Sequence, residues 1–402
     1  MRNADFEAIV VGGGPAGSMT AAGLAEAGHR VLLLDKAAFP RHKACSDYLN
    51  PAGTQLLADI GVLDEALALG AQRMEGMVVH APGGERFTAH YSRVEPGRAA
   101  LGLSRQHLDR LLLDRAKAAG VTVCERTHVR DVLQAQGRVI GVSVSIDGAR
   151  QELRAPLVIG ADGRNSVVAR SLGLDAPLRW PRKTGLATHY RGVSGLNGFG
   201  EMHVAPHGYA GLALLEDGLT NVTIVADVKD VEARAGSIED FFAGVIAGIP
   251  EVARKLDGAE RIGGIRGVGS MGCRARRITG DGFLLAGDAA SFLDPFAGEG
   301  IYQALRGGQM AADTASAALK RGDTSDRALA GYRWARRKEF TTKRQVSWIV
   351  QAFVNQPTLM DYVTGRLAER EALGLTLSGV LGNFRPASQA LSPLFLARLL
   401  RP

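Results

Sequence analysis

Short, unbroken apolar runs recur along this chain, and each of the first ones stops at glycine or an acid. Glu7–Val11 (EAIVV) reads as a buried strand and runs into Gly12-Gly13-Gly14-Pro15-Ala16-Gly17. Residues 16–27 then place Met19, Ala22, Leu24 and Ala25 on one helical face, with Gly28 as the stop. Arg30–Leu34 (RVLLL) predicts a second strand ending at Asp35. Pro156–Ala161 (PLVIGA) leads into Asp162-Gly163, and Gly282–Ala286 (GFLLA) leads into Gly287-Asp288. Between 176 and 264 the pattern changes to alternation broken by glycines: ATHYRGV, GEMHVAP, GYAGLALLED, LTNVTIVADV. That predicts an antiparallel sheet, interrupted by a helical stretch over 237–257 that Pro250 divides. Helical apolar faces return at Gln345–Val354, Leu359–Leu373 and Leu391–Leu400, with Arg366, Arg370, Arg398 and Arg401 between them.

The first unit has a ligand logic. Strand, G-x-G-x-x-G turn, helix, strand and acid is the context a dinucleotide fingerprint requires. Gly12 allows the tight turn, Gly14 lets backbone approach a pyrophosphate, and Gly17 lets the helix pack on the strand. Asp35 stands where the adenosine ribose hydroxyls would be held. Asp162 and Asp288 each follow a predicted strand, at the edge where open α/β sheets bind ligands. A helix is expected from near Gly298, its free amides facing the reduced flavin's negative edge. The three motifs in this order point to FAD, held non-covalently. The fold class expected is α/β with an α+β substrate region: a Rossmann-like FAD-binding domain, an antiparallel-sheet substrate domain and C-terminal helices. The expected division is 1–75, 97–175 and 265–330 for the discontinuous FAD-binding domain, 76–96 and 176–264 for the substrate domain, and 331–402 for the helical region.

The stretches VVGGGPAG, FPRHKACSDYLNPAG (39–53), GADGRNS (160–166) and GDAASFLDPFAGEGIYQAL (287–305) resemble the p-hydroxybenzoate-hydroxylase-like flavoproteins of the glutathione-reductase-type FAD fold. Within them the chain is most similar to the geranylgeranyl reductase group. The likeness implies FAD contacts at Gly12, Gly14, Ala16, Gly17, Asp35, Lys36, Arg41, Arg105, Val129, Asp162, Gly287, Asp288, Gly298, Gly300 and Ile301. In it Asp35 takes the adenosine ribose, Asp288 the ribityl chain, and Arg105 opens a helix against the cofactor. Lys43 lies in the same cofactor-side segment. Cys45 resembles the group's cysteine near the flavin ring; it and Tyr48 and His207 are the candidates for chemistry at the substrate. Ser46 stands where the group has glycine and Tyr48 where it often has a small residue. The group's G-Y-x-W-x-x-P stretch is matched at Gly208-Tyr209 without its Trp and Pro.

Composition narrows the reading. The 402 residues, 46% hydrophobic, can bury a large core. Three cysteines, Cys45, Cys124 and Cys273, have no metal-ligand spacing and form no even disulfide set, so no metal is expected and a reducing cytoplasm is. No signal peptide and no spanning helix is read. The net charge of +7 comes without a nucleic-acid motif. The partner expected is a small apolar organic molecule; the basic, apolar C-terminal helices offer a surface for peripheral membrane contact. GGIRGVG at 263–269 opens no amphipathic helix, so no second dinucleotide unit is read, and NADPH, NADH or another donor must dock transiently. Two reactions remain open. One is hydride transfer to, or desaturation of, carbon–carbon double bonds in a polyprenyl or polyketide-like substrate. The other is flavin-dependent hydroxylation of an aromatic or quinone-like substrate. Ser291 in place of the hydroxylases' histidine favours the first. Halogenase-like chemistry lacks its W-x-W-x-I-P motif, and an electron carrier has no need of the wall that 176–264 predicts.

Overall fold

A computed structural model describes residues 6–401, apart from 147, 177, 179, 181, 207, 270 and 293–297. At its centre is a six-stranded sheet. The order is Thr279–Gly280, Phe283–Leu285, Leu157–Gly160, Ala8–Val11, Val31–Leu34, Thr122–Cys124. All neighbours are parallel except the first pair. The register places Ala8 between Val31 and Leu157. Side chains of these strands alternate between two cores. Ala8, Val10, Leu33, Leu157, Ile159 and Leu284 face one; Ile9, Val11, Leu32, Leu34, Val158 and Leu285 face the other. Burial on both faces is why the strands read as continuous apolar runs.

The first core is closed by the helices Pro15–Glu26, Arg105–Ala118 and Gly300–Lys320. The second is closed by a three-stranded meander, His128–Ala135, Arg138–Ile146 and Ala149–Arg154. Helices Pro15–Glu26 and Gly300–Lys320 touch backbone to backbone: Thr20 Oγ1 donates to the carbonyls of Ala16 (2.7 Å) and Gly308 (3.1 Å). A side chain at Gly308 would bring its Cβ to 2.6 Å from the Ala16 carbonyl oxygen.

A seven-stranded sheet stands over the end of the first. Its order is Glu260–Val268, Lys183–Arg191, Leu219–Asp227, Gly208–Leu214, Phe199–Ala205, Gly76–His80, Arg86–His90. All pairs are antiparallel except Phe199–Ala205 with Gly76–His80. Its outer face (Leu186, Ala210, Leu212, Val222, Ile224) is covered by Phe242, Ile246, Ile249 and Val252. Phe242 and Ile246 come from helix Ile238–Ala247, Val252 from helix Pro250–Lys255 and Ile249 from its N-cap, so Pro250 opens a new helix as its fixed φ favours.

One expectation needs correction. The segment 359–373 is not one helix. Pro357–Glu369 ends at Arg370, whose φ of −107° and ψ of 84° are non-helical, and Glu371–Leu381 starts anew. The break lets the second helix pack on the strand Arg86–His90, where Gly374 meets Phe87. The helix expected near Gly298 runs over Gly300–Lys320, after Gly298 with its φ of +64°.

Gly308→Val should destabilise the fold by roughly 1–3 kcal/mol through overpacking. Urea denaturation measures this, and an unchanged midpoint would mean that the two helices can separate without cost.

Candidate active site

The glycine turn leaves space in one direction only. Gly12 has a φ of +102° and donates its N–H to Leu34 O (2.7 Å). A Cβ on Gly17 would lie 1.8 Å from Gly12 O, so the turn is closed against its own helix. At Gly14 the nearest atoms to a Cβ are guanidinium nitrogens, Arg41 Nη2 at 3.6 Å and Arg105 Nη2 at 3.9 Å. Gly14 is also the N-cap of helix Pro15–Glu26 and brings no capping side chain. Free amides at a helix start and two guanidiniums thus face the same opening, a donor set suited to a pyrophosphate.

Those arginines are held by one acid. Arg105 grips Asp109 through Nε (2.7 Å) and Nη2 (2.8 Å). Arg41 Nη1 lies 2.9 Å from the same carboxylate, off hydrogen-bond alignment, as an ion pair. Asp109 is wholly buried. Two cations against one anion leave a positive charge for a ligand to neutralise. Burial opposes the Arg105 charge, but Asp109 more than offsets it and holds the guanidinium above its ordinary range. The nearby Lys43 ammonium is pushed down, first by burial and then by Arg105, while Asp288 opposes the shift.

A cavity of about 330 Å³ starts at this opening. It is lined from Lys36, Gly14 and Ala16 past Lys43, Arg105, Asp162 and Asp288 to Gly298, Gly300 and Ile301. Cys45, Tyr48 and Gly287 also line it. Gly12 and Gly17 lie beneath the turn. Asp35 is not among the lining residues: its carboxylate accepts from the N–H groups of Gly13 (2.7 Å) and Ala37 (2.8 Å) and braces the turn from behind. Val129 packs against the second core of the parallel sheet. Asp162 lines the cavity, yet its oxygens cap helix Val167–Ser171 through Ser166 Oγ and Val167 N–H, both at 2.6 Å. Burial raises its pKa, and these hydrogen bonds oppose the rise. His207 lies outside the described residues.

The loop after Pro40 is fastened by a residue that the motif reading passed over. Asp47 is left-handed (φ +54°) and buried. Its Oδ2 accepts from Asn221 Nδ2 and faces His189 Nε2, both at 2.8 Å, and its Oδ1 accepts from Arg105 N–H at 3.3 Å. Asn221 Nδ2 also donates to Cys45 O (2.8 Å). Asp47, Asp109, His189 and Asn221 were all missed. Two signals were available: Asp109 follows Arg105 at i+4, and Asp47 lies inside the 39–53 stretch.

Burial pushes the Cys45 thiol up, against a hydrogen bond from Arg105, so the thiol form is favoured. Tyr48 and Tyr91 share a hydrogen bond of 2.7 Å. Burial raises both phenols, Tyr91 to about 12 and Tyr48 well above its ordinary value. Beyond Tyr48 a second pocket opens, lined by Met77, Met202, Tyr209, Leu212 and Ala213, and it shares Ser46, Tyr48, Thr223, Val225 and Gly298 with the first. Its one carboxylate, Glu201, is engaged by His203 Nε2 (2.8 Å) and Lys255 Nζ (3.0 Å).

Residues 5–344 match the FAD binding domain family. Digeranylgeranylglycerophospholipid reductase 2 of Methanopyrus kandleri is 31% identical over 82% of this chain and 82% of its own. The myxobacterial chondrochloren halogenase CndH has a similar structure, with a TM-score of 0.81, 26% identity, and 98% and 92% of the two chains covered. A geranylgeranyl bacteriochlorophyll reductase-like protein, Ta0516 of Thermoplasma acidophilum, shares the fold: TM-score 0.80, 22% identity, 98% of each chain.

Gly14→Val should abolish FAD binding while leaving the chain folded, because the open side of Gly14 is where the ligand must approach. Flavin absorbance per folded protein reads this, and normal absorbance would overturn the placement. Asp288→Ala should weaken FAD by about tenfold, as expected for a lost ligand hydrogen bond to a charged group. The exposed Asp59→Ala should not, and equal loss in both would remove Asp288 from the site.

Proposed function

This chain belongs to the FAD-dependent oxidoreductases of the geranylgeranyl reductase group, and on that premise we propose that it reduces, or in reverse forms, carbon–carbon double bonds of an apolar polyprenyl substrate. The observation that carries the reading is the apolar recess of Met77, Met202, Tyr209, Leu212 and Ala213 that adjoins the cofactor cavity at Ser46, Tyr48 and Gly298; at about 30 Å³ it has room for the end of a chain and not its length. Its single carboxylate is already bound by a lysine and a histidine, so it favours an apolar chain over a charged one.

In this reading Gly14, Arg41 and Arg105 would hold the FAD pyrophosphate. Asp35 and Lys36 would take the adenosine ribose, with Gly12, Ala16 and Gly17 shaping the turn and Val129 on the adenine side. Asp162, Gly287 and Asp288 would serve the ribityl side, and Gly298, Gly300 and Ile301 the ring. FAD, when bound, would supply the hydride, with NADPH, NADH or another donor docking transiently as the source of electrons. The chain's own residues must supply a proton to the second carbon of the double bond. Tyr48, at the shared wall, and Cys45, in the cofactor cavity beside it, are the side chains kept protonated by burial. Tyr48 is the better placed, because it lines both pockets and its hydroxyl is positioned by a hydrogen bond with Tyr91. Segments 1–75, 97–175 and 265–330 then serve the cofactor, 76–96 and 176–264 the substrate.

The helix Pro393–Leu400 exposes Leu394 and Leu400 beside Arg398, a composition suited to peripheral membrane contact. Among the described residues no helix is long and apolar enough to cross a membrane. The likeness to a halogenase favours a second reading, oxygen-dependent chemistry on the substrate.

Mass spectrometry separates the two. Chemically reduced, FAD-loaded protein, kept without oxygen, should add one pair of hydrogens per double bond to a geranylgeranyl phospholipid. A product that forms only with oxygen and carries oxygen or halogen would overturn the reductase reading. Tyr48→Phe should lower kcat by about 10²-fold or more, the usual worth of a positioned acid, without lowering FAD content. An unchanged kcat would pass the role to Cys45.

A further inference from the structure

A third cavity, of about 270 Å³, adjoins the cofactor cavity on a different side from the apolar pocket. It shares Phe292 and Gly300 with the cofactor cavity and no residue with the apolar pocket. Its wall carries Arg274, Arg344, Ser291, Thr341, Gln303 and Trp348. Three elements build most of it: the ribbon that pairs Arg274 with Ser291, the start of the helix Gly300–Lys320, and the helix Ala330–Val354.

Among the described residues no acid pairs with the arginines here. Arg336 is buried and donates to Ser291 Oγ (3.2 Å). Arg344 donates to the Thr341 hydroxyl, at 3.5 Å. Among the described residues, Arg274, Arg336, Arg337 and Arg344 form no ion pair. Neighbours on the same helix do: Arg333 with Asp326, and Lys343 with Glu339 at 2.7 Å. The unpaired set repels itself; burial and then Arg274, Arg336 and Arg337 pull the Arg344 pKa down. A solvated arginine face would spread its charges over a convex surface. Arg274 and Arg344 converge on a concave wall with hydroxyl and amide groups, with Arg336 bound to Ser291 of that wall, and an anion there would offset the repulsion. Trp348, on the same wall, stacks on Trp180 with ring centroids 5.0 Å apart.

We propose that this cavity is a subsite for the phosphate or pyrophosphate group of a molecule that reacts with the cofactor. The proposal rests on FAD occupying the adjoining cavity. Two molecules could bring this group: the pyridine nucleotide that reduces the flavin, or a phosphorylated substrate whose apolar chain continues into the other pocket.

Inorganic pyrophosphate titrated calorimetrically into FAD-saturated protein at low salt tests this without turnover. Binding is expected to weaken by about tenfold in Arg344→Gln and in Arg274→Gln, the scale of a charge-assisted hydrogen bond. Arg170→Gln, an exposed arginine on another helix, changes the net charge equally and should bind like the parent. Competition by NADPH identifies the reductant as the source, and competition by geranylgeranyl phosphate identifies the substrate. No isotherm in the parent, equal affinity in all three variants, or competition by neither compound overturns the subsite. A protein that cannot be loaded with FAD defeats the cofactor reading instead, and is seen from absorbance before any titration.

Discussion

One buried carboxylate, Asp109, orders two guanidiniums that the chain supplies from distant places. Arg105 opens the helix Arg105–Ala118, whereas Arg41 comes from the loop after the second strand. Without Asp109 the two largely buried cations would repel, and removing one member of a buried charged group typically costs roughly 3–5 kcal/mol. With it, both heads stop within van der Waals reach of a side chain that Gly14 does not have. The opening at the helix start is therefore arranged before any ligand arrives, and its remaining positive charge selects for an anion. An interaction inside the protein thus becomes binding specificity.

Asp47 plays the corresponding part between the two sheets. Its carboxylate is shared by Asn221 and His189 of the seven-stranded sheet and by the first amide of the Arg105 helix. The loop with Cys45, Ser46 and Tyr48 is thereby fixed between the cofactor cavity and the apolar pocket. A left-handed aspartate is tolerated there because three donors hold its side chain. The shared wall is thus rigid where the two cavities meet, and the groups that line it are kept neutral by burial.

Charge divides the surroundings of the cofactor cavity. On the Tyr48 side the lining is apolar, and its one acid is neutralised by Lys255 and His203. On the Phe292 side gather arginines that form no ion pair among the described residues. A molecule with an apolar chain and one with phosphates would be sorted by these two walls before either reached the centre.

The parallel sheet was legible in the sequence because strands buried on both faces must be apolar at every position, and EAIVV, RVLLL, PLVIGA and GFLLA could hardly be anything else. The glycine turn was legible for a similar reason, since only glycine fits where Gly17 meets Gly12 O. The break at Arg370 was not, because 359–373 carries a continuous helical pattern. Its non-helical dihedrals arise from packing the following helix on Phe87, which is distant in sequence. Asp35 was legible as the acid that ends the second strand, but only tertiary geometry shows its carboxylate accepting from the amides of Gly13 and Ala37. Asp47, Asp109 and Asn221 were invisible as a group, since each is an ordinary polar residue until folding brings it to a partner. Local backbone chemistry and periodicity therefore determined the fold class and the cofactor motifs from sequence alone. Which buried charges share one another, and which walls they leave apolar or cationic, was decided only by tertiary structure, because electrostatic pairing depends on distances that the chain order does not contain.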